Sequence, residues 1–264
     1  MLPGGDSAWR IETRLDTADR LHMKWPPPEL MHSRVVAFSN VSHAAVVLGS
    51  TQRLKIAGHI ESAGISWNEL ADGSCREIEV ISRSSGGGAV YVAPAEQLWV
   101  DFWLPKDDMW FDSDILRSSV WVGNIWAKAL NSIGVQDIRI HEGRLIPGEW
   151  GSLVCFASTG PGEVFYGTRK VVGISQRRTR DGIWFQTMAP LRWEPGKWIP
   201  CMLPYLELLI AEEHGSRKRL DTVALDAWLM EHVVLLGELG GFKYPDDGTA
   251  VHAIAGELVA NLPA

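Results

Sequence analysis

Arg83-Ser-Ser-Gly-Gly-Gly-Ala-Val90 is the stretch on which the reading of this chain turns. Gly86, Gly87 and Gly88 weaken any regular element, so three in a row need a reason. The usual reason is close approach of another group to the backbone. With no Cβ in the way, backbone N–H groups can face a phosphate or a carboxylate, and Arg83 can add the countercharge. The plain alternative is a glycine turn in a hairpin, because a lone glycine motif is weak evidence.

A second stretch, Gly167-Thr-Arg-Lys-Val-Val-Gly-Ile-Ser-Gln-Arg-Arg178, joins a turn, a lysine, two β-branched residues and a glycine. Val171 and Val172 read as strand. Lys170 then sits at the strand start, and Gly173 marks a bulge or a close approach by a ligand. A lysine fixed there could hold a carboxylate or phosphate oxygen during acyl chemistry; taken alone, it is an ordinary solvated strand-end charge.

Together the two stretches resemble the lipoate–protein ligase family, which shares its catalytic domain with biotin ligases and octanoyltransferases. Members carry Arg-x-Ser-Gly-Gly-Gly-Ala-Val, matched by Arg83, Ser85, Gly86, Gly87, Gly88, Ala89 and Val90. They also carry Lys-(Val/Ile)-x-Gly-x-(Ala/Ser)-Gln, matched by Lys170, Val171, Gly173, Ser175 and Gln176. An upstream strand and turn, residues 46–52, fits the family's glycine turn near the acyl pocket. The resemblance covers roughly residues 35–200 and implies attachment of lipoate, octanoate or a similar acyl acid to a lysine of a lipoyl carrier domain. Some members keep an accessory domain on a separate polypeptide, so an accessory subunit is a further implied partner.

Two routes can activate the acyl group. A ligase adenylates the acid with ATP and Mg2+; Arg83 and the glycine loop would cradle the adenylate, and Lys170 would neutralise charge developing between carboxyl and phosphate. This is the first expectation. A transferase instead starts from a carrier thioester and passes the acyl group through an enzyme cysteine, without ATP. Cys155, in Leu153-Val-Cys-Phe-Ala157, matches the Cys-Phe segment of one octanoyltransferase group, and Glu163 matches the Glu that follows it. Its plain alternative is a small buried hydrophobe in a strand. Cys201, after Pro200 in an expected loop, is the second candidate thiol, and Cys75 reads as a loop thiol.

The chain also departs from the family. Tyr91-Val-Ala-Pro94 stands where a His-Asp pair follows the glycines, and Phe185-Gln-Thr187 stands where a His-Gly pair is usual. These losses motivate a reading of another class, a catalytically silent acyl- or nucleotide-binding module. The biotin-ligase glycine-arginine loop is absent, which argues against biotin.

The 264 residues suit one large domain, or one plus an appendage. A net charge of −7 argues against a nucleic-acid groove. Carrier domains are themselves often acidic, so docking would use a local basic patch such as Arg177, Arg178 and Arg180. Three widely spaced cysteines argue against a disulfide framework or a zinc site and fit a reducing cytoplasm. No apolar run is long enough to span a bilayer, and the eight histidines show no metal-ligand spacing, so neither a membrane nor a protein-bound metal is expected.

Organisation follows from local pattern. Residues 1–34 are polar and end in a triple proline, which predicts a stiff linker. The catalytic domain is expected over 35–213, with a helical extension packed on it over 214–264. Strands are predicted over 35–38, 44–48, 77–81, 89–92, 98–104, 138–141, 153–156, 164–166, 170–175 and 184–191. Asp112 and Asp114 suit the first turn of a helix that Gly134 stops. Residues 58–73 mix a short helix with turns, 195–204 read as loop, and 205–213 and 222–236 read as helices. Strands interleaved with helices give an α+β fold, a central mixed or antiparallel sheet flanked by helices.

Overall fold

The computed structural model describes residues 8–23, 25–64, 66–70, 78–214, 219–239 and 247–263. The first half holds β1 (Arg10–Asp16), α1 (Ala18–His22), β2 (Val35–Val41), β3 (Ala45–Leu48), α2 (Ser50–Ala63), α3 (Trp67–Leu70) and β4 (Glu79–Ser82). Then come β5 (Val90–Val92), β6 (Gln97–Pro105), α4 (Ile115–Ser132) and β7 (Ile138–Ile140). The last third holds β8 (Val164–Tyr166), β9 (Arg169–Arg178), β10 (Gly182–Pro190), α5 (Pro195–His214), α6 (Thr222–His232) and α7 (Asp247–Ala260).

Seven strands form one mixed sheet in the order β1-β2-β6-β10-β9-β8-β7, with only β1 and β2 parallel. A smaller sheet, β4-β3-β5, carries the glycine loop between two of its strands. The architecture is the expected α+β sheet flanked by helices. β6 is central and buried along its whole length, so it reads as a continuous apolar run, not an alternating one. Gln97 and Asp101 are the polar residues within it. Asp101, fully buried, accepts hydrogen bonds from Arg14, Ser39, Trp99 and Trp184. Burial pushes its carboxyl up, against the pull of those four partners.

Helix α4 is capped by Asp114, whose carboxylate accepts from the Arg117 backbone N–H at 2.9 Å. Its inner face, Val122, Ile125, Trp126, Ala129 and Leu130, packs into the core shared with Phe102, Val172 and Phe185. On the other side α2, α5 and α6 cover the second core, with Ile56, Trp198, Met202, Leu206 and Leu225 buried in it. Ile254 and Leu258 of α7 return to the first core, and the Trp9 indole donates to the Pro263 carbonyl at 2.9 Å.

Several expectations need correction. The stretch before residue 34 is not only linker, because β1 pairs with β2 over seven residues and α1 packs Ala18 and Leu21 into a core. Residues 153–156 form no strand. Val154 makes one isolated bridge to Ala89, and the chain then tightens into a 3-10 turn at Cys155–Ala157. The loop expected over 195–204 is helix. Pro195 starts it, where a missing N–H costs nothing, and burial of Trp198, Ile199 and Met202 overrides Pro200 and Pro204 inside it. A 14-residue α2 replaces the turn expected after Gly49 and takes the first part of the mixed segment expected over 58–73, of which residues 65 and 71–73 lie outside the described residues. Among the described residues no helix is long and apolar enough to cross a membrane.

Candidate functional site

The glycine loop closes on its own arginine. Arg83 is buried, and its guanidinium donates to the carbonyls of Gly86 at 2.9 Å, Gly88 at 2.8 Å and Val47 at 3.3 Å. Arg83 therefore organises the loop's carbonyls instead of standing free as countercharge to an anion. Burial pushes the guanidinium below its usual value, and neighbouring Cys155 opposes that. Gly87 needs its freedom at φ +95°. Gly88 needs its bareness, because a Cβ there would stand 2.5 Å from the Val154 carbonyl carbon.

That close approach stitches the loop to the segment carrying Cys155. The Ala89 N–H donates to the Leu153 carbonyl, and the Cys155 N–H to the Ala89 carbonyl, both at 2.8 Å. The two sequence motifs also meet directly, Ser85 Oγ donating to Ser175 Oγ at 3.4 Å. Between them opens a cleft with about 430 Å³ of empty space, its mouth included. Arg83, Val90, Cys155, Gly173 and Ser175 line it. The rest of the wall is mainly apolar, with Val92, Trp99, Phe156, Ile174 and Met188.

Lys170 and Gln176 turn elsewhere. Lys170 is buried at the start of β9, so it is no solvated charge. Its Nζ lies 2.6 Å from Glu163 Oε2 and donates to the carbonyls of Cys155, at 3.3 Å, and Ser158. It lines a separate cavity with Ser158, Thr168, Trp228 and His232, and Cys155 and Phe156 line the cleft on the other side. Gln176 faces α4, donating to the Ile115 carbonyl at 2.9 Å and to Ser119 Oγ at 2.7 Å. Arg178 of the expected basic patch is likewise engaged, by the carbonyls of Asp112 and Asp114.

Cys155 is a free, partly buried thiol on the cleft wall. Cys201 is not the accessible loop thiol expected: it is buried in α5 and disulfide-bonded, contrary to the expectation of no disulfide. Cys75 lies outside the described residues.

Three polar cleft residues were not singled out from sequence. Gln186 and Thr187 arrive on β10, where Gln186 pairs with Ser175 across the hairpin. Extending that hairpin's register from its Arg180-Asp-Gly182 turn would have found them. His22 ends α1, in a region read as linker, and no sequence signal marked it. Burial, then the charges of Arg83 and Arg14, holds its imidazole neutral, down to about 3. Unfolded, it titrates near the usual 6.5, so only the unfolded chain gains this proton as pH falls from 6.5 towards 3. Stability should therefore fall by about 1.4 kcal/mol per pH unit in that window on account of this residue. Chemical denaturation of wild type and His22→Phe between pH 7 and 4 measures it, and parallel curves would refute it.

Comparison with known proteins bears on the family and the fold. A family model, the lipoyl protein ligase A/B catalytic domain, matches residues 32–194, more than half the chain. Among solved structures, a bipartite lipoate protein ligase described with its E2 lipoyl domain, from Thermoplasma acidophilum, superposes with a TM-score of 0.54 at 15% identity, covering 96% of this chain and 84% of that one. A lipoate-protein ligase A bound with ATP gives a TM-score of 0.51 at 14% identity, covering 95% and 85%. A T. acidophilum structure with bound lipoic acid gives 0.51 at 12%, covering 92% and 77%. No curated protein matches. With both family motifs on one cleft loop and one cleft strand, and the family model spanning the core of the sheet, the chain belongs to the lipoyl protein ligase A/B catalytic domain family.

Proposed function

We propose that this protein attaches a lipoyl- or octanoyl-type acyl group to the lysine of a lipoyl carrier domain, and that the acyl group passes through a thioester on Cys155. The observation that carries the route is the placement of two side chains. The free Cys155 thiol is on the wall of the apolar cleft, which Arg83 also lines. The Lys170 ammonium is paired with Glu163 and lines another cavity. Lys170 then acts as a positioning residue, holding the Cys155 carbonyl while the glycine loop holds its N–H.

In the first half-reaction the Cys155 sulfur adds to the carbonyl carbon of a carrier thioester. The carrier thiolate leaves and takes up the proton that Cys155 gave up. In the second, the amine of the acceptor lysine attacks the new thioester, an amide forms, and the thiol is restored. The apolar wall would hold the acyl chain and exclude water, which would otherwise hydrolyse the intermediate.

The adenylate route is the second reading, favoured by the intact triple glycine. It needs ATP and a magnesium ion. Among the described residues no cluster of three His, Cys, Asp or Glu is placed to hold a metal. Magnesium would then be held chiefly by the nucleotide's own phosphates. In either route the acidic chain would meet the carrier domain through local basic residues such as Arg177 and Arg180, with the reaction taking place in the cytoplasm and with or without an accessory subunit.

Intact-protein mass spectrometry separates the routes. Exposure to an octanoyl carrier-protein thioester should add one octanoyl group without ATP, and Cys155→Ser should abolish the adduct. An unmodified wild type, with carrier lipoylation that requires lipoate and ATP, would overturn the thioester route in favour of the ligase.

A further inference from the structure

Two cleft-lining residues each hold a buried N–H donor with no acceptor. One is Nε2 of His22. The ring is 8% exposed and stands 4.8 Å from the ring of Trp99. Its Nδ1 lies 2.9 Å from the amide nitrogen of Gln186. An amide nitrogen only donates, so Nδ1 accepts and Nε2 carries the ring hydrogen. Nε2 has no partner among the described residues. The other is Nε of Arg83, which also has none, although the two terminal nitrogens of that guanidinium are engaged.

A buried donor left unmade costs about 1–3 kcal/mol, so two in one cleft call for an acceptor that arrives with a ligand. Their place narrows what that acceptor is. His22 and Arg83 line both the apolar cleft and an outer groove that also includes Asp19, Ser50, Arg53 and Ser84. They therefore stand at the junction of the two, where an acyl chain in the cleft would present its polar head. Cys155 lines the same cleft. His22 is no base for this chemistry, since its imidazole stays neutral far below pH 7.

We infer that His22 Nε2 and Arg83 Nε together bind the carbonyl oxygen of the acyl group, His22 supplying a substrate contact from a helix that precedes the family's matched region. When sulfur adds at the carbonyl carbon, the electron pair of the C=O bond moves onto that oxygen, where the two N–H groups would stabilise it. The inference rests on the acyl-transfer reading above and identifies which side chains hold the reacting oxygen.

The test uses the full chain with His22→Phe, which removes the donor, and His22→Gln, which keeps an N–H. Single-turnover acylation by octanoyl carrier-protein thioester should fall about 100-fold or more in His22→Phe and less than 10-fold in His22→Gln. Thermal melts of both variants establish that they fold. A second measurement is independent of turnover: calorimetric binding of octanoate, whose carboxylate oxygen replaces the acyl carbonyl oxygen, against heptane, which fills the apolar cleft and offers no acceptor. His22→Phe should weaken octanoate at least tenfold and leave heptane unchanged, with His22→Gln close to wild type. Equal octanoate affinity in folded wild type and His22→Phe, or no octanoate binding by wild type, overturns the inference. The tenfold discrimination without any acyl adduct supports the His22 contact and overturns only the Cys155 route.

Discussion

Lys170→Met should lower stability by about 3–5 kcal/mol, because it leaves the Glu163 carboxylate buried with its cation gone. Both side chains are almost fully enclosed, at 2% and 3% exposure, so water cannot take the place of the missing ammonium. For a chain of this size that is a fall in Tm of about 10 °C. The remaining contacts to Glu163, from the N–H groups of Gly160 at 2.6 Å and Ile174 at 3.5 Å, do not offset a full charge. Adding Glu163→Gln to Lys170→Met should recover most of the loss, since replacing both partners of a buried pair is often neutral. The sign with pH follows from burial. Burial raises the Glu163 carboxyl and Lys170 opposes it, so without Lys170 the folded state holds this proton more strongly still. The deficit of Lys170→Met should then shrink as pH falls towards the usual carboxylate range. Denaturant melts of the three variants at pH 7 and pH 5 measure all of this, and a Lys170→Met protein as stable as wild type would show that the pair contributes nothing.

Gly88→Ala should be the most damaging single methyl group in the glycine loop. Its Cβ would meet Val154 C at 2.5 Å, Cys155 N at 2.7 Å and Val154 N at 2.8 Å, and all three are backbone atoms. No rotamer change relieves that clash, so the loop and the Cys155 segment must part, straining the Ala89–Leu153 and Cys155–Ala89 hydrogen bonds. Overpacking of this kind costs about 1–3 kcal/mol. It should also abolish measurable acyl loading, because the thiol moves relative to Arg83. Gly86→Ala is the internal comparison: nothing lies within 4 Å of its Cβ, and it should stay within about 1 kcal/mol of wild type. Melting curves and intact-mass loading assays on the pair provide the measurement. Equal behaviour of the two would mean that the loop is not docked on residues 154 and 155.

What the sequence revealed depended on how locally each feature was written. The strands β9 and β10 were legible from their β-type runs, and α4 because Asp112 and Asp114 suit a first turn and Gly134 a stop. One residue of each motif, Ser85 and Ser175, meets the other in the fold, and Arg83 lines the same cleft. Helix α5 was hidden because Pro200 and Pro204 oppose it locally, and only burial of the apolar side chains around them decides the outcome. The Cys155 segment was misread as strand since Leu-Val-Cys-Phe fits a sheet as well as it fits a buried turn. The orientations of Lys170 and Gln176 were equally out of reach. A strand assigns each residue to a face, but whether that face meets a cleft, a glutamate or α4 depends on segments far along the chain.

The bond from the Trp9 indole to the Pro263 carbonyl has a practical consequence. It brings the two extremities of the described fold into contact, so a few flexible residues could join them and a new start could be opened at an exposed turn such as Arg180 and Asp181. Such a circular permutant would keep every sheet pairing except at the new opening, and would allow a reporter to be fused at a place of the experimenter's choosing.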